Sequence, residues 1–172
     1  MNVSEAILTR RSVRSYKDKE IPDEKLQRVM ESARMAPSAR NKQDWKFVIV
    51  KDEEKRSELR EAAGGQKFVE EAPAVIAGVT TDPENEMKCD MPSGIIDVTI
   101  AMDHITLKAA EEGLGTCWIG AFDQEETKKI LNVPEGCDIV ALMPIGFPEE
   151  ELEAIYKDRK NPEDITCEDT YY

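Results

Sequence analysis

The residues best suited to bind an anionic ligand lie near the start of the chain, where four cations fall within residues 10–17. This concentration is unusual because the protein carries a formal net charge of -13. Guanidinium groups beside the Ser12 hydroxyl can hold a phosphate through bidentate donors and one short hydrogen bond. The same cations could instead pair with nearby carboxylates on a solvated surface. This stretch alone leaves both interpretations open.

A second cationic cluster contains Lys157, Arg159 and Lys160, near the other end of the chain. Two such clusters in an acidic protein could close on one anionic ligand. The sequence has no P-loop, nucleophile elbow, HExxH motif or recognisably spaced Cys–His pair. We therefore predict a bound, phosphate-bearing cofactor, with no catalytic side chain and no metal site.

Length and composition limit the class of protein. The 172 residues fit one domain over residues 1–172, and 40% hydrophobic with 34% charged residues is typical of a soluble globular chain. No apolar run is long enough to span a bilayer, and no secretory signal is found. The four widely spaced cysteines indicate reduced thiols of a cytoplasmic protein rather than a zinc site. The negative charge argues against nucleic acid as a partner.

Hydrophobic periodicity predicts helices and strands, with polar loops between them. Helices are predicted at residues 2–9, 22–36, 52–63, 94–112 and 123–131, with a further turn at 66–71, and strands at 47–50, 74–79, 116–120 and 138–145. Ser4 is a candidate N-cap of the first helix. Helix 94–112 is apolar on several sides, so we expect it to be central. Loop 82–93 is a candidate lid.

Three other features have simpler interpretations. Residues 113–115 are glycine-rich but follow a helix and precede a strand, the reverse of a dinucleotide-binding motif, which excludes a Rossmann fold. His104, the only histidine, is interpreted as structural, and Trp45 as a core aromatic residue. Residues 149–172 form a polar tail that must dock elsewhere or wrap a partner to be stable.

Four motifs, taken in order, resemble the signatures of the nitroreductase family of FMN enzymes. They are RRSVR at residues 10–14, APSARNKQDW at 36–45, GLGTCWIG at 113–120 and KDR at 157–159. The resemblance implies an α+β fold, with a small, mainly antiparallel sheet surrounded by helices and the helix 94–112 at the centre. It also implies an obligate homodimer, with FMN at the subunit interface and the C-terminal tail wrapping the partner. Asp44 departs from the family, which commonly has proline there.

The same resemblance assigns FMN contacts to separate parts of the chain. The phosphate would be held by the two cationic clusters, and the ring by single residues and by a loop of the other subunit. The implied contacts are Arg10 and Ser12 with Lys157 and Arg159 for the phosphate; Arg11 as a further cofactor contact; Arg14 and, by a looser match, Gln66 for the pyrimidine edge; Pro37, Ser38, Ala39 and Asn41 from the partner; and backbone groups of Ile119 and Gly120 beside N5. Trp118 is left between a core position and a wall of the flavin site.

The activity that the resemblance implies is a ping-pong oxidoreduction. NADH or NADPH would pass a hydride to flavin N5 and leave, and a small electron acceptor such as a nitroaromatic or a quinone would then be reduced. Other flavin chemistry stays open, including reductive dehalogenation, flavin breakdown and dehydrogenation. A protein that binds FMN or another phosphorylated ligand without turnover is the alternative from a different class.

Overall fold

A four-stranded sheet with helices on both faces forms the framework. The computed structural model describes residues 1–153 and 159–171. The elements are α1 (Val3–Thr9), α2 (Asp23–Arg34), β1 (Trp45–Val50), α3 (Glu53–Ala62), α4 (Phe68–Glu71), β2 (Ala74–Thr80), α5 (Ser93–Glu111), β3 (Gly115–Thr116), α6 (Gln124–Leu131) and β4 (Asp138–Gly146), with 3-10 turns at Ala39–Asn41 and Pro162–Asp164. The predicted α+β class is confirmed.

The strand order is β1-β2-β4-β3, and every pair of neighbouring strands is antiparallel. This confirms the predicted antiparallel sheet and the exclusion of a Rossmann fold, whose strands are parallel. All seven residues of β2 are buried, because this strand has a neighbour on each side and helices above and below. The sheet therefore fixes the positions of the loops at both of its ends.

The predicted strand 116–120 was wrong in its extent. β3 ends at Thr116, and pairing resumes only at Ile119, which exchanges two hydrogen bonds with Leu142. Between them the Cys117 N–H donates to the Pro144 carbonyl at 3.3 Å. Pro144 has no N–H to donate in return, so the ladder is interrupted there.

Each face of the sheet has its own apolar core. On one face α2 and the long helix α5 bury residues such as Val29, Met102 and Ile105 against Ile76. On the other face α3 and α4 bury Leu59 and Val69, with α6 beside them. The predicted central position of α5 is confirmed. The first helix is capped by Asn2 in a capping box with Glu5, and the expectation of Ser4 as its cap was wrong.

Residues 12–17 continue the sheet as an irregular edge segment. The Val13 N–H donates to the Thr116 carbonyl at 2.9 Å, and the Lys17 N–H to that of Phe147 at 2.8 Å. Val13 packs over Gly115, where a Cβ would lie 2.5 Å from a Val13 methyl group, and Tyr16 packs over Gly146, where a Cβ would lie 2.9 Å from its ring. These glycines face each other in register. The missing side chains allow the segment to lie directly on the sheet.

The buried Tyr16 hydroxyl fixes the same segment. Its oxygen lies 2.9 Å from the Val13 carbonyl oxygen and 3.2 Å from that of Pro144, so the proton is shared between two acceptors. Burial, the first cause, raises the pKa of Tyr16 far above its usual value. The hydroxyl therefore remains protonated, and a donor, well above neutral pH.

Tyr16→Phe should lower the free energy of unfolding by about 1 kcal/mol, because two buried carbonyls lose their donor. Urea unfolding followed by circular dichroism measures this change. Tyr171→Phe removes a hydroxyl from a fully exposed tyrosine and serves as the matched control. Equal stability of the Tyr16 variant and the control would contradict the role of the hydroxyl.

A carboxylate joins α2 to the end of α5. Glu112, the C-cap of α5, accepts from Arg28 Nε and Nη2, both at 2.8 Å, and lies 3.3 Å from Lys25 Nζ. Hydrogen bonds from Arg28, with smaller contributions from Lys25 and Lys108, lower the pKa of Glu112 to about 2 against the opposing effect of burial. The carboxylate is therefore more stable as an anion in the folded state than in the unfolded chain.

Because the folded-state pKa is lowered, the stabilisation by Glu112 is present above its ordinary pKa of 4.5 and is lost as the pH falls towards about 2. Glu112→Gln should therefore destabilise the protein at pH 6, and the difference from wild type should shrink between these two values. Urea titrations at several pH values measure it. Glu58→Gln, an exposed carboxylate on α3, is the control. A difference that does not depend on pH would refute the linkage.

Candidate functional site

The cations of residues 10–14 leave the end of α1 and run directly along the edge of the sheet. Arg10 is the C-cap of α1, and the bridge from Ser12 to Thr116 follows two residues later. Val13 is buried, whereas the neighbouring Ser12 and Arg14 are exposed. The extended backbone alternates its side chains between faces, so burial of Val13 turns the hydroxyl and the guanidinium outward together.

A cleft of about 300 Å³ lies along this segment. It is lined by residues 11–15 on one side and by residues 148–150, which follow β4, on the other. Arg11 donates to the Glu151 carbonyl at 3.1 Å and lies 3.7 Å from a carboxylate oxygen of the exposed Glu150. The chain after β4 thus meets the N-terminal cationic cluster.

The cations of residues 10–14 differ in whether a carboxylate neutralises them, as on a solvated surface, or leaves them available to a ligand. Arg11 has a carboxylate neighbour, as a solvated surface would provide, although exposed pairs of this kind contribute little. Arg14 makes no ion pair with any residue that the structure describes. Its guanidinium carbon lies 5.9 Å from the centroid of the Phe68 ring, within range of a cation–π interaction. The positive charge of Arg14 is therefore held in place but not neutralised.

A buried thiol lies behind these residues. The Cys117 Sγ lies 3.7 Å from the Trp118 carbonyl oxygen, with Ser12 and Arg14 nearby. Burial raises the pKa of Cys117, and the charge of Arg14 and the neighbouring Ser12 hydroxyl oppose that rise only in part. The thiol is therefore neutral at pH 7, and it leaves the charge of Arg14 uncompensated.

Gln66 lies on the same side of the molecule, two residues before Phe68. Its side-chain N–H donates to the Ala63 carbonyl at 2.9 Å, which fixes the amide on the turn between α3 and α4. The side-chain oxygen makes no hydrogen bond to a described residue. Gln66 is thus two residues from the ring that Arg14 contacts and has one acceptor available.

The two backbone positions predicted beside the cofactor differ in what they offer. Ile119 is buried, and its N–H and carbonyl are both bonded to Leu142, at 2.9 and 3.0 Å. Gly120 is exposed, with nothing within 4 Å of the place where a Cβ would stand. Its N–H has no partner among the described residues. Of the two, Gly120 supplies an available donor, and Ile119 holds it in position.

The loop that precedes β1 is fastened by a buried carboxylate. Both oxygens of Asp97, on α5, accept from the Ala39 N–H, at 3.0 and 3.1 Å. The Ser38 hydroxyl accepts from the Gln43 N–H at 3.0 Å. Asn41, with φ of 56°, has a left-handed backbone that asparagine tolerates. Sequence reasoning missed Asp97, although an acidic residue inside the apolar part of helix 94–112 was a signal.

One protomer does not bring this loop to the cationic segment. Ser12 pairs with Thr116 on β3, and Thr116 pairs with Ile145 on β4. Ile145 in turn pairs with Ala74, at the start of β2. The loop instead leads into Trp45, which pairs with Thr80 at the end of β2. Six residues along a strand and four strand spacings across the sheet separate the two by roughly 28 Å. They lie at diagonally opposite corners of the sheet.

The remaining predicted residues have varied positions. Pro37 is exposed at the start of the same loop, and Arg159 is exposed on the tail. Lys157 lies outside the described residues.

Trp118 packs against the core of the α5 face together with Trp45, which confirms the core position of Trp45. His104 Nδ1 lies 3.2 Å from the Ser32 carbonyl oxygen and links α5 to α2, as a structural histidine does.

A larger cleft, about 740 Å³, lies away from these residues, and three of its four lining cations already have partners. Lys51 pairs with Asp23 at 2.6 Å, Arg56 donates to backbone carbonyls such as that of Pro73, and Lys19 lies 4.4 Å from the centroid of the Phe147 ring. The volume of a cleft alone therefore does not identify the cofactor site.

Over residues 1–153 and 159–171, no cluster of metal ligands is found, and no helix is long and apolar enough to cross a membrane.

Comparison with known proteins gives a consistent result. A model of the Nitroreductase family matches residues 7–147. A protein of Archaeoglobus fulgidus, named provisionally as an NADH dehydrogenase/NAD(P)H nitroreductase, is 34% identical over 92% of this chain and 93% of its own. The FMN reductase [NAD(P)H] of Bacillus subtilis is 27% identical over 98% of this chain and 74% of its own.

A solved structure agrees with the sequence relatives. The NADPH:FMN oxidoreductase of Vibrio harveyi, determined in complex with NAD+, superposes with a TM-score of 0.89 at 27% identity, over 100% of this chain and 79% of its own. The family model covers most of the chain, and the solved structure has the same fold. The chain therefore belongs to the nitroreductase family.

Proposed function

We propose that this protein is an FMN-dependent NAD(P)H oxidoreductase that works as a homodimer, with each FMN bound between two chains. The single observation that carries the proposal is the edge segment of this nitroreductase-family chain. There a hydroxyl and an unneutralised guanidinium face outward together from a protein of net charge -13. An anionic, aromatic cofactor is the ligand that such a segment accommodates best.

The residues present fit the cofactor. Arg10, Arg11 and Ser12 would hold the phosphate, because guanidinium and hydroxyl donors match its oxygens. Arg159, with Lys157, would add to them from the tail. Arg14, with Gln66 beside it, would contact the ring. The cleft of about 300 Å³ lies at the lower limit for ligand sites of this size, so a second chain is needed to complete the enclosure.

The second chain would contribute the loop before β1. Pro37, Ser38, Ala39 and Asn41 lie at the far corner of their own protomer, so they would reach the FMN bound by the partner. The hydrogen bonds from the Ala39 N–H to Asp97 fix the shape of the loop before the two chains associate. A pre-formed loop lowers the entropy lost on binding.

Uncovered apolar surface supports association of two chains. Val3 and Ile7 on α1, and Ile95 on α5, are 71%, 54% and 47% exposed. On the tail, no residue from 159 to 171 is buried in its own protomer, and Ile165 is 68% exposed. Apolar side chains left in water in this way favour burial against another chain. We propose that the partner covers them and that the tail wraps it.

The chemistry would come from the cofactor, and the protein would position and stabilise it. When bound, FMN would accept a hydride from NADH or NADPH and pass the electrons to a small acceptor such as a nitroaromatic or a quinone. Arg14 would stabilise the negative charge that the ring gains, and the Gly120 N–H would donate to a ring nitrogen. No side chain needs to act as an acid or base. The free thiols of Cys89, Cys117 and Cys137 suit a reducing compartment, and we propose the cytoplasm.

The first test is whether the purified protein binds FMN and whether NADH or NADPH reduces it without oxygen, followed by absorbance near the flavin band. Arg10→Ala combined with Ser12→Ala should weaken FMN binding about 10- to 100-fold, because charge-assisted hydrogen bonds to the phosphate are lost. Riboflavin, which lacks the phosphate, should bind the variant and the wild type equally. Lys129→Ala, an exposed cation on α6, is the control. An equal loss for both flavins would show that these residues do not bind phosphate.

The shared site makes a separate prediction for mixed dimers. One chain carries Arg10→Ala with Ser12→Ala, and the other carries Ser38→Ala with Asn41→Ala, under different affinity tags. Each homodimer should lose FMN, whereas the doubly purified heterodimer should hold about one FMN per dimer, since twofold symmetry places both defects in one site. Absorbance and ultracentrifugation measure the ratio. A heterodimer without FMN would mean that both groups serve a site within one chain.

A further inference from the structure

A second cationic cleft lies between the loop before β1 and the loop before α5. Its volume is about 260 Å³, and its lining includes Arg40, Lys42 and Lys88. Glu86 is the single carboxylate in the lining. None of these residues was among the predicted FMN contacts, although Arg40 stands between two of them, Ala39 and Asn41.

Two of the three cations are available to a ligand. Lys42 is held between Asp82 and Asp44, at 3.3 and 3.4 Å, and the hydrogen bond to Asp82 raises its pKa. Arg40 and Lys88 are exposed and make no hydrogen bond or ion pair through their side chains to any residue in the described ranges. In the larger cleft near Lys51, by contrast, three of the four lining cations already have partners.

Both loops are braced, so the two cations project from fixed backbone. Asp97 fastens the first loop through Ala39. In the second loop, Asn85 and Ser93 are joined by side-chain and backbone hydrogen bonds, and the Met87 N–H donates to the Met91 carbonyl at 2.8 Å. Lys88 lies at the closed end of this hairpin-like loop. Little ordering entropy is lost when a ligand binds such a site.

We propose that this cleft binds a phosphate group of the nicotinamide dinucleotide, an inference that rests on the proposed function. A guanidinium and an ammonium group facing one cleft suit phosphate oxygens. A protein of net charge -13 repels a polyanionic substrate over most of its surface, so local cations are needed where the substrate approaches. The proposed partner contacts, Ala39 and Asn41, place this cleft at the border of the flavin site.

Two phosphate groups share this chemistry. The pyrophosphate is common to NADH and NADPH, whereas the 2′-phosphate belongs to NADPH alone. The test uses the FMN-loaded dimer and the variants Arg40→Gln and Lys88→Gln, with Lys129→Gln as the matched control on the opposite face of the sheet. Steady-state kinetics give KM and kcat for each dinucleotide, and calorimetry gives the affinities of inorganic pyrophosphate and adenosine 2′,5′-bisphosphate.

Each of the two variants should raise KM about tenfold with little change in kcat, because an interaction made before the chemical step is lost. A rise for both dinucleotides, with weaker pyrophosphate binding, assigns the pyrophosphate to the cleft. A rise for NADPH alone, with weaker bisphosphate binding, assigns the 2′-phosphate. Lys129→Gln should change none of these quantities.

Unchanged KM values and probe affinities in both variants would overturn the proposal, and so would an equal effect of Lys129→Gln. Lys88→Gln decides the matter if Arg40→Gln also releases FMN, because Lys88 is outside the proposed flavin contacts. Absence of FMN binding by the purified protein would refute the proposed function. Calorimetry with the two probes would still show whether the cleft binds phosphate. The two failures are therefore distinguishable.

Discussion

The close approach of residues 12–17 to the sheet is the constraint on which the rest of the structure depends. Gly115 and Gly146 face each other across the β3–β4 pair; Val13 occupies the space of a side chain at Gly115, and Tyr16 together with Pro73 that of one at Gly146. Because this contact fixes the backbone, the outward direction of Ser12 and Arg14 follows from the alternation of an extended chain. The cationic segment is thus positioned by apolar packing, although its own composition is polar.

The sequence predicted the regular elements well where their signal is local. Helix 94–112 has an apolar pattern that covers several turns, and the structure places α5 at Ser93–Glu111. The central strand at 74–79 is a short buried run, and β2 extends it by one residue to Thr80. These elements depend on residues that are near one another in the chain, so periodicity is sufficient to locate them.

What the sequence did not predict depends on partners distant in the chain. The edge segment pairs with Thr116 and Phe147, each more than a hundred residues away, and nothing in its own polar sequence indicates a strand. β3 is short because Pro144, on another strand, cannot donate a hydrogen bond. Most of the candidate site was named through motifs that resemble a family. The separation of its two halves could be seen only from the register of the sheet.

Two hydrogen-bond anchors hold the loop before β1. Asp97 accepts from the main-chain N–H of Ala39, and the Ser38 hydroxyl accepts from the main-chain N–H of Gln43. Neither anchor depends on the side chains at positions 39 to 43. The side chain at position 40 is exposed and takes no part in either anchor, so its charge can change without loss of these hydrogen bonds, within the residues that tolerate a φ of 53°. The electrostatic character of this corner can thus vary while the scaffold beneath it stays the same.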